Sequence, residues 1–112
     1  MRIPFNKPYV AANSLRYLSE ALERRYVSGD GPFCQKCSAW LEEQLGCSKA
    51  LLTPSGTAAL EMAVILADIK PGDEVIMPSF TFPSTANAVV LRCGVPVFVD
   101  IRSDTCNLDE TK

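Results

Sequence analysis

The residues with the clearest chemical potential in this sequence of 112 residues are Ser55, Gly56 and Thr57. They lie between a short, mostly apolar run at 50–53 and a helix-forming run, a pattern typical of a strand, a tight turn and a helix N-terminus. The first backbone N–H groups of a helix lack intrahelical acceptors, and the helix dipole makes that end partly positive. A phosphate there would meet these donors and two hydroxyls, and glycine lets the backbone approach closely. The turn therefore fits an anion site, or a Ser/Thr N-cap that needs no ligand.

A second candidate feature is the Ser/Thr-rich loop 78–85, which carries Phe80 and Phe82 just after a predicted strand. In a parallel α/β sheet, ligands bind beyond the carboxyl ends of the strands, so we expect this loop, the turn and Asp100 at one edge. One ring could stack on a flat ligand whose phosphate sits at the turn, and pyridoxal phosphate and a nucleotide fit equally well. The alternative is that both rings fold back over the sheet edge. Asp100 fits a turn or cap carboxylate better than a ligand.

Cysteine and histidine content excludes several other chemistries. The five cysteines are an odd number scattered through apolar segments, which argues against a disulfide framework. Cys34 and Cys37 have the spacing of a redox or zinc motif, but there is no second pair and no histidine, so we expect reduced helical cysteines and no metal site. The lack of histidine also excludes Ser-His and Cys-His nucleophile pairs within this chain.

Composition is that of an ordinary globular protein, with 47% hydrophobic and 21% charged residues, and the length allows at most one domain. A net charge of −2 provides no basic field for nucleic acid and no cationic face for a membrane. No run has the length of a signal-peptide core or a membrane span, which predicts a cytoplasmic protein.

Residues 1–48 are predicted to form an extended arm followed by two helices. Asn13 or Ser14 would cap the first, and Pro32 and Gly46 would begin and end the second. The apolar face of the first helix comprises Leu15, Leu18, Leu22 and Tyr26. The Gly29-x-Gly31 pattern between the helices is not a dinucleotide-binding fingerprint, because it follows a helix and lacks the third glycine.

Residues 49–112 alternate predicted strands with predicted helices, which indicates βαβ units around a parallel sheet. The strands are short and apolar without polar alternation, as expected for a sheet covered on both faces. The predicted strands are 50–53, 74–77 and 95–99, the predicted helices are 57–69 and 82–92, and a further helix is predicted to open at Asn107.

Four segments, 29–31, 51–60, 70–82 and 97–101, resemble the N-terminal part of the DegT/DnrJ/EryC1/StrS family, which are pyridoxal-phosphate-dependent nucleotide-sugar aminotransferases of fold type I. The resemblance runs in order over essentially the whole chain. It implies the N-terminal part of the family's large domain, a three-layer αβα fold with a mostly parallel sheet, here incomplete. It also implies that strands 74–77 and 95–99 pair directly, whereas strand 50–53 lies apart from them. We therefore expect this chain alone to be marginally stable or to aggregate.

The resemblance also assigns roles by position. It implies that Gly56 and Thr57 hold the phosphate of pyridoxal 5'-phosphate through backbone N–H and hydroxyl, that Phe82 stacks on the pyridine ring, and that Ser55 is a weaker neighbouring candidate. The family's Schiff-base lysine and the aspartate that pairs with the pyridinium nitrogen lie in later segments, beyond Lys112. The chain alone is therefore expected to be inactive. Its lysines match no catalytic position of the family and are expected on the surface: Lys7, Lys36, Lys49, Lys70 and Lys112.

For a full-length protein, the resemblance implies transfer of an amino group from glutamate to a dTDP-linked 4-keto-6-deoxy sugar in cell-surface polysaccharide biosynthesis. It further implies a homodimer with the active site at the subunit interface. Stretches 73–79 and 84–87 are most similar to members that make dTDP-4-amino-4,6-dideoxygalactose for enterobacterial common antigen, a lipopolysaccharide-related polymer. Two alternatives stay open: a sugar dehydratase of the same family, in which histidine replaces the lysine, and a non-catalytic remnant.

Overall fold

The computed structural model of this protein describes residues 3–112, which divide into two compact units. The first unit extends to Leu52, and the second is Thr53–Lys112. The first contains helices α1 (Ser14–Glu23) and α2 (Pro32–Leu45). The second contains α3 (Gly56–Leu66), β1 (Glu74–Pro78), α4 (Ser84–Val90) and β2 (Val95–Val99). In residues 3–112, no helix combines the length and the apolar character that crossing a bilayer requires.

Both helices of the first unit lie where the sequence predicts them. Asn13 precedes α1, but its side chain makes no capping hydrogen bond, and the helix ends before Tyr26. Pro32 occupies the first turn of α2, where its missing N–H costs nothing. Gly46 ends α2 in the left-handed conformation at φ 61°, which glycine adopts without steric cost.

An apolar groove of about 760 Å³ lies in the first unit. The Tyr17 ring meets the Phe33 ring edge-on, with centroids 5.5 Å apart, and Lys36 lies over the Phe33 face. The groove is lined by Tyr17, Leu18, Ala21, Phe33, Lys36, Cys37, Trp40 and Leu41. Lys36 is the only charged residue of this lining.

The second unit is built on a parallel sheet, as predicted, with two of the three predicted strands. Strands β1 and β2 pair in register from Glu74↔Val95 to Pro78↔Val99. Helix α4 connects them and contacts both strands, and α3 packs on α4. The direct parallel pairing of these two strands is the arrangement that the family resemblance implies.

Apart from Gly31, the buried residues of the described chain lie in this βαβ unit. The buried hydrophobic residues are Met77 of β1 and Ala88 and Val89 of α4. A Cβ at Gly94 would lie 2.9 Å from Val89 Cγ1, so glycine is needed where the chain passes the core. Successive residues of a strand point to opposite faces, and Ile76, next to buried Met77, is 63% exposed. The face that carries Ile76 is therefore open to solvent at this position.

Two predicted elements of the second half are absent from the structure. Residues 50–53 form no strand, because no strand of residues 3–112 lies beside them to share a ladder. No helix opens at Asn107, because Leu108 forms an antiparallel bridge with Ile101 and Asn107 O accepts from Arg102 N–H at 2.8 Å.

The two predicted helices of this half form but are shorter than expected. The helix predicted over 57–69 spans Gly56–Leu66, since Asp68 takes a left-handed φ of 56°. The helix predicted over 82–92 spans Ser84–Val90, and the left-handed φ of Cys93 (59°) turns the chain toward β2.

Candidate functional site

The turn before α3 is an N-cap built around Ser55. Ser55 is extended (φ −160°, ψ 163°), and its Oγ accepts from Ala58 N–H at 3.1 Å. Its carbonyl accepts from Ala59 N–H at 3.1 Å and from the Thr53 hydroxyl at 2.9 Å. The cap expected from the sequence is therefore present, and the Thr53 hydroxyl fixes the peptide that precedes Gly56.

The cap leaves two backbone donors of the turn without a partner. Within residues 3–112, neither the N–H of Gly56 nor that of Thr57 has a hydrogen-bond acceptor. A Cβ built on Gly56 would meet no heavy atom within 4 Å, and the Thr57 side chain is exposed. An anion could approach both N–H groups and the Thr57 hydroxyl without disturbing the cap. The two interpretations of the turn are therefore compatible.

Phe80 and Phe82 lie in the loop between β1 and α4, and both rings face solvent. Their side chains are 71% and 74% exposed. Neither ring is folded back into the core, so the alternative of rings packed over the sheet edge does not hold in this structure. Both rings are open to a flat partner.

Hydrogen bonds tie this loop to the sheet and to α4. Ser79 N–H donates to Val99 O at 2.8 Å, which joins the start of the loop to the end of β2. Thr85 N–H donates to Phe82 O at 3.0 Å. The hydroxyl oxygens of Thr81 and Thr85 lie 3.0 Å apart, one donating to the other. Sequence inspection did not single out these threonines, and their i, i+4 spacing is the signal that could have found them.

Topology brings the turn and the loop to the same edge of the sheet. The loop leaves the carboxyl end of β1, so the N-terminus of α4 lies at that edge. The C-terminus of α3 leads into the start of β1, so its N-terminus points toward the carboxyl edge. Eleven residues of helix and five of strand both span roughly 16 Å. From this topology we assign Ser55, Gly56, Thr57 and Phe82 to one end of the second unit.

Asp100 is at the same edge but does not cap a helix. Its carboxylate lies 3.5 Å from Lys112 Nζ and is 70% exposed, while its carbonyl accepts from Asp109 N–H at 2.9 Å. The following segment is organised by Arg102, which contacts the carboxylates of Asp104 and Glu110 at 3.0 and 2.9 Å. The hydrogen bond from Arg102 lowers the pKa of Asp104. These are exposed surface pairs, and they contribute little to stability.

The cysteines have no partners that would indicate chemistry. All five thiols are free, and within residues 3–112 no three Cys, Asp or Glu side chains come together in a way that could hold a metal.

The lysines make surface contacts. Lys36 lies over the Phe33 ring, Lys49 contacts Glu42 at 3.4 Å and Lys70 contacts Asp68 at 3.0 Å. The side chains of Lys49 and Lys70 are more than two thirds exposed, at 68% and 67%.

Comparison with known proteins identifies the family of this chain. The model of the DegT/DnrJ/EryC1/StrS aminotransferase family matches residues 8–112. The spore coat polysaccharide biosynthesis protein SpsC of Bacillus subtilis is 36% identical over 110 residues, which are 98% of this chain and 28% of SpsC. GDP-perosamine synthase of Caulobacter vibrioides is 34% identical over 111 residues, 99% of this chain and 30% of that enzyme.

A solved structure shows the same partial correspondence. The crystal structure of NtdA from Bacillus subtilis, with its bound cofactor pyridoxamine phosphate, superposes with a TM-score of 0.81 at 36% identity and covers 88% of this chain and 22% of NtdA. This chain thus spans less than a third of the length of these relatives. Its βαβ unit corresponds to part of the larger fold of NtdA, whose structure holds pyridoxamine phosphate. The chain belongs to the DegT/DnrJ/EryC1/StrS aminotransferase family.

Proposed function

We propose that this chain provides the phosphate-binding turn and the ring-stacking aromatic residue of a pyridoxal-phosphate-dependent sugar aminotransferase. The observation that carries the proposal is the pair of unpartnered N–H groups of Gly56 and Thr57 at the start of α3, within the segment that matches the family. A helix N-terminus with free donors and an open glycine suits a phosphate. The exposed ring of Phe82 at the same edge suits the flat pyridine attached to that phosphate.

The described residues divide the work of binding. The N–H groups of Gly56 and Thr57 and the Thr57 hydroxyl would donate to the phosphate. The Ser55 oxygen already accepts from Ala58 N–H, so only its hydroxyl proton is available for the phosphate, which makes Ser55 the weaker contributor. The Phe82 ring would cover one face of the pyridine and exclude water from it. Bound pyridoxal phosphate supplies the electron sink for amino-group transfer.

The activity of a complete protein is a further part of the proposal. A nucleotide-linked keto sugar would receive the amino group, with glutamate as donor, in cytoplasmic synthesis of a cell-surface polysaccharide. Within that class of acceptors, we propose a dTDP-linked 4-keto-6-deoxy sugar, because stretches 73–79 and 84–87 resemble family members that act on such a sugar. A homodimer with the active site at the subunit interface completes it. The lysine and aspartate of the family's chemistry lie outside residues 1–112, so these residues alone are assigned binding and not catalysis.

The binding proposal is tested with pyridoxamine 5'-phosphate, which has no aldehyde and so cannot form imines with surface lysines. Its fluorescence anisotropy is followed as the 112-residue chain is added, beside titrations with inorganic phosphate and with a nucleoside monophosphate. We expect pyridoxamine phosphate to bind more tightly than either. Thr57→Val should weaken it by about tenfold, the effect of one hydrogen bond to a charged group.

Thr105→Val is the matched control, because Thr105 is also an exposed threonine in a turn, where its hydroxyl oxygen accepts from Asn107 N–H at 3.3 Å. Equal effects of Thr57→Val and Thr105→Val would contradict the assignment of the phosphate to the turn. Tighter binding of the nucleotide than of pyridoxamine phosphate would favour a nucleotide site at this edge.

A further inference from the structure

Phe82 lies between two threonines whose side chains are joined. Thr81 immediately precedes it, Thr85 is the second residue of α4, and their hydroxyl oxygens are 3.0 Å apart. This bridge connects the loop to the helix across the residue that carries the exposed ring.

Thr85 also holds the backbone of Phe82 directly. Its N–H donates to Phe82 O at 3.0 Å, while Ser79 N–H anchors the start of the loop on Val99 O at 2.8 Å. The chain around Phe82 is thus fixed before and after the ring. The ring itself is 74% exposed, so packing does little to orient it, and the backbone sets the direction of the Cα–Cβ bond from which it extends.

The threonine bridge is not needed to cap α4. The N-cap of α4 is Pro83, and no side chain makes a capping hydrogen bond there. Threonine is β-branched and has restricted χ1 freedom, so a bridge between two threonines is stiffer than one between flexible side chains. A ring that is oriented before binding loses less conformational freedom when it stacks.

We infer that Thr81 and Thr85 are positioning residues whose hydroxyl pair orients the Phe82 ring for stacking, an inference that rests on the proposed role of Phe82. The inference requires no contact between either threonine and the cofactor. They act through Phe82, and removal of either hydroxyl breaks the same bridge.

The first test needs no ligand. Backbone ¹⁵N relaxation of Phe82 is measured in the 112-residue chain and in Thr85→Val, which keeps the branched shape and the N–H but loses the hydroxyl. We expect a lower order parameter at Phe82 in Thr85→Val and in Thr81→Val, and recovery in Thr85→Ser. Thr105→Val, remote in sequence, should leave Phe82 unchanged. An unchanged Phe82 in both valine variants overturns the inference.

The second test uses pyridoxamine 5'-phosphate and a mutant cycle. Thr85→Val should weaken its binding by about fivefold, the effect of one neutral hydrogen bond, and leave inorganic phosphate binding unchanged. The double variant with Thr81→Val should bind no more weakly, because both changes remove one bridge. In a Phe82→Ala background, Thr85→Val should have no further effect.

A fivefold loss that persists in the Phe82→Ala background would show that Thr85 does not act through the ring, and the inference would fall. Failure of the unmodified chain to bind pyridoxamine phosphate would overturn the proposed function instead. In that case the relaxation measurement alone decides whether the bridge orders Phe82.

Discussion

The Ser55 hydroxyl oxygen lies 3.1 Å from the backbone nitrogen of Ala58 and accepts its hydrogen. This bond leaves the N–H groups of Gly56 and Thr57 as the free donors of the turn. Different atoms of residues 55–58 therefore stabilise the helix and bind the anion. Substitutions can separate the two roles.

Three substitutions at Ser55 make this separation. Aspartate and asparagine cap helices about as well as serine, whereas alanine costs about 1 kcal/mol of unfolding free energy. We expect Ser55→Ala to destabilise α3 by that amount and Ser55→Asn to leave stability unchanged. Ser55→Asp should retain stability but abolish binding of inorganic phosphate, because its carboxylate faces the anion. Amide hydrogen exchange within α3 and phosphate titration measure the two properties.

Ser55→Asn is the control for Ser55→Asp, since the two differ mainly in charge. Equal phosphate affinity in these two variants would contradict an anion site at this turn. Full stability in Ser55→Ala would contradict the capping role.

The amount of exposed surface predicts that the chain is unstable alone. Its accessible surface is 9270 Å², whereas two separate compact domains of half this mass would together expose roughly 7,000 Å². Many large apolar side chains are exposed, and within residues 3–112 both outer edges of the two-stranded sheet are unpaired. We expect concentration-dependent association in sedimentation velocity and no cooperative calorimetric transition. A monomer that melts cooperatively would overturn this prediction.

The contact between Glu42 and the chain after α2 should depend on pH. Glu42 Oε1 accepts from Ala50 N–H at 3.0 Å and lies 3.4 Å from Lys49 Nζ. The Ala50 hydrogen bond is the main cause of a lowered Glu42 pKa, and Lys49 adds to it. Because the pKa is lower in the folded state, the contact is fully formed above the ordinary glutamate pKa of about 4.3 and is lost as pH falls through the folded-state value.

NMR titration of the Ala50 amide measures this directly. We expect its chemical shift to change below pH about 4.3 in the unmodified chain and to stay flat over that range in Glu42→Gln. Glu43→Gln, the neighbouring position on α2, should titrate like the unmodified chain. The same titration in all three proteins would show that Glu42 does not hold Ala50.

Local sequence signals predicted the elements that depend on local structure. Pro32 and Gly46 marked the first turn and the end of α2, and both do so through their own backbone preferences. The β1–α4–β2 unit followed from two short apolar runs joined by a helical one, because such a unit forms between neighbouring segments of the chain.

The errors occurred where contacts outside the segment decide its structure. Residues 50–53 have strand-like composition, but a strand requires a partner, and no strand of the described chain pairs with them. Asn107 carries a helix-start signal, but the antiparallel bridge between Ile101 and Leu108 holds that segment in a non-helical conformation. At the site, residue types identified Ser55, Gly56 and Thr57 as an anion-site candidate and Phe80 and Phe82 as possible stacking rings, and the family resemblance selected Phe82. The bridging role of the Thr81 and Thr85 hydroxyls appears only once the loop geometry is known.

The most direct measurement is the affinity of pyridoxamine 5'-phosphate for Phe82→Ala and Phe80→Ala. The two rings are two residues apart and almost equally exposed, at 74% and 71%, so each is a control for the other. Loss of a stacked ring should weaken binding by about tenfold in Phe82→Ala, and Phe80→Ala should bind like the unmodified chain. An equal loss in both variants, or a loss in Phe80→Ala alone, would contradict the assignment of Phe82 as the cofactor-stacking residue.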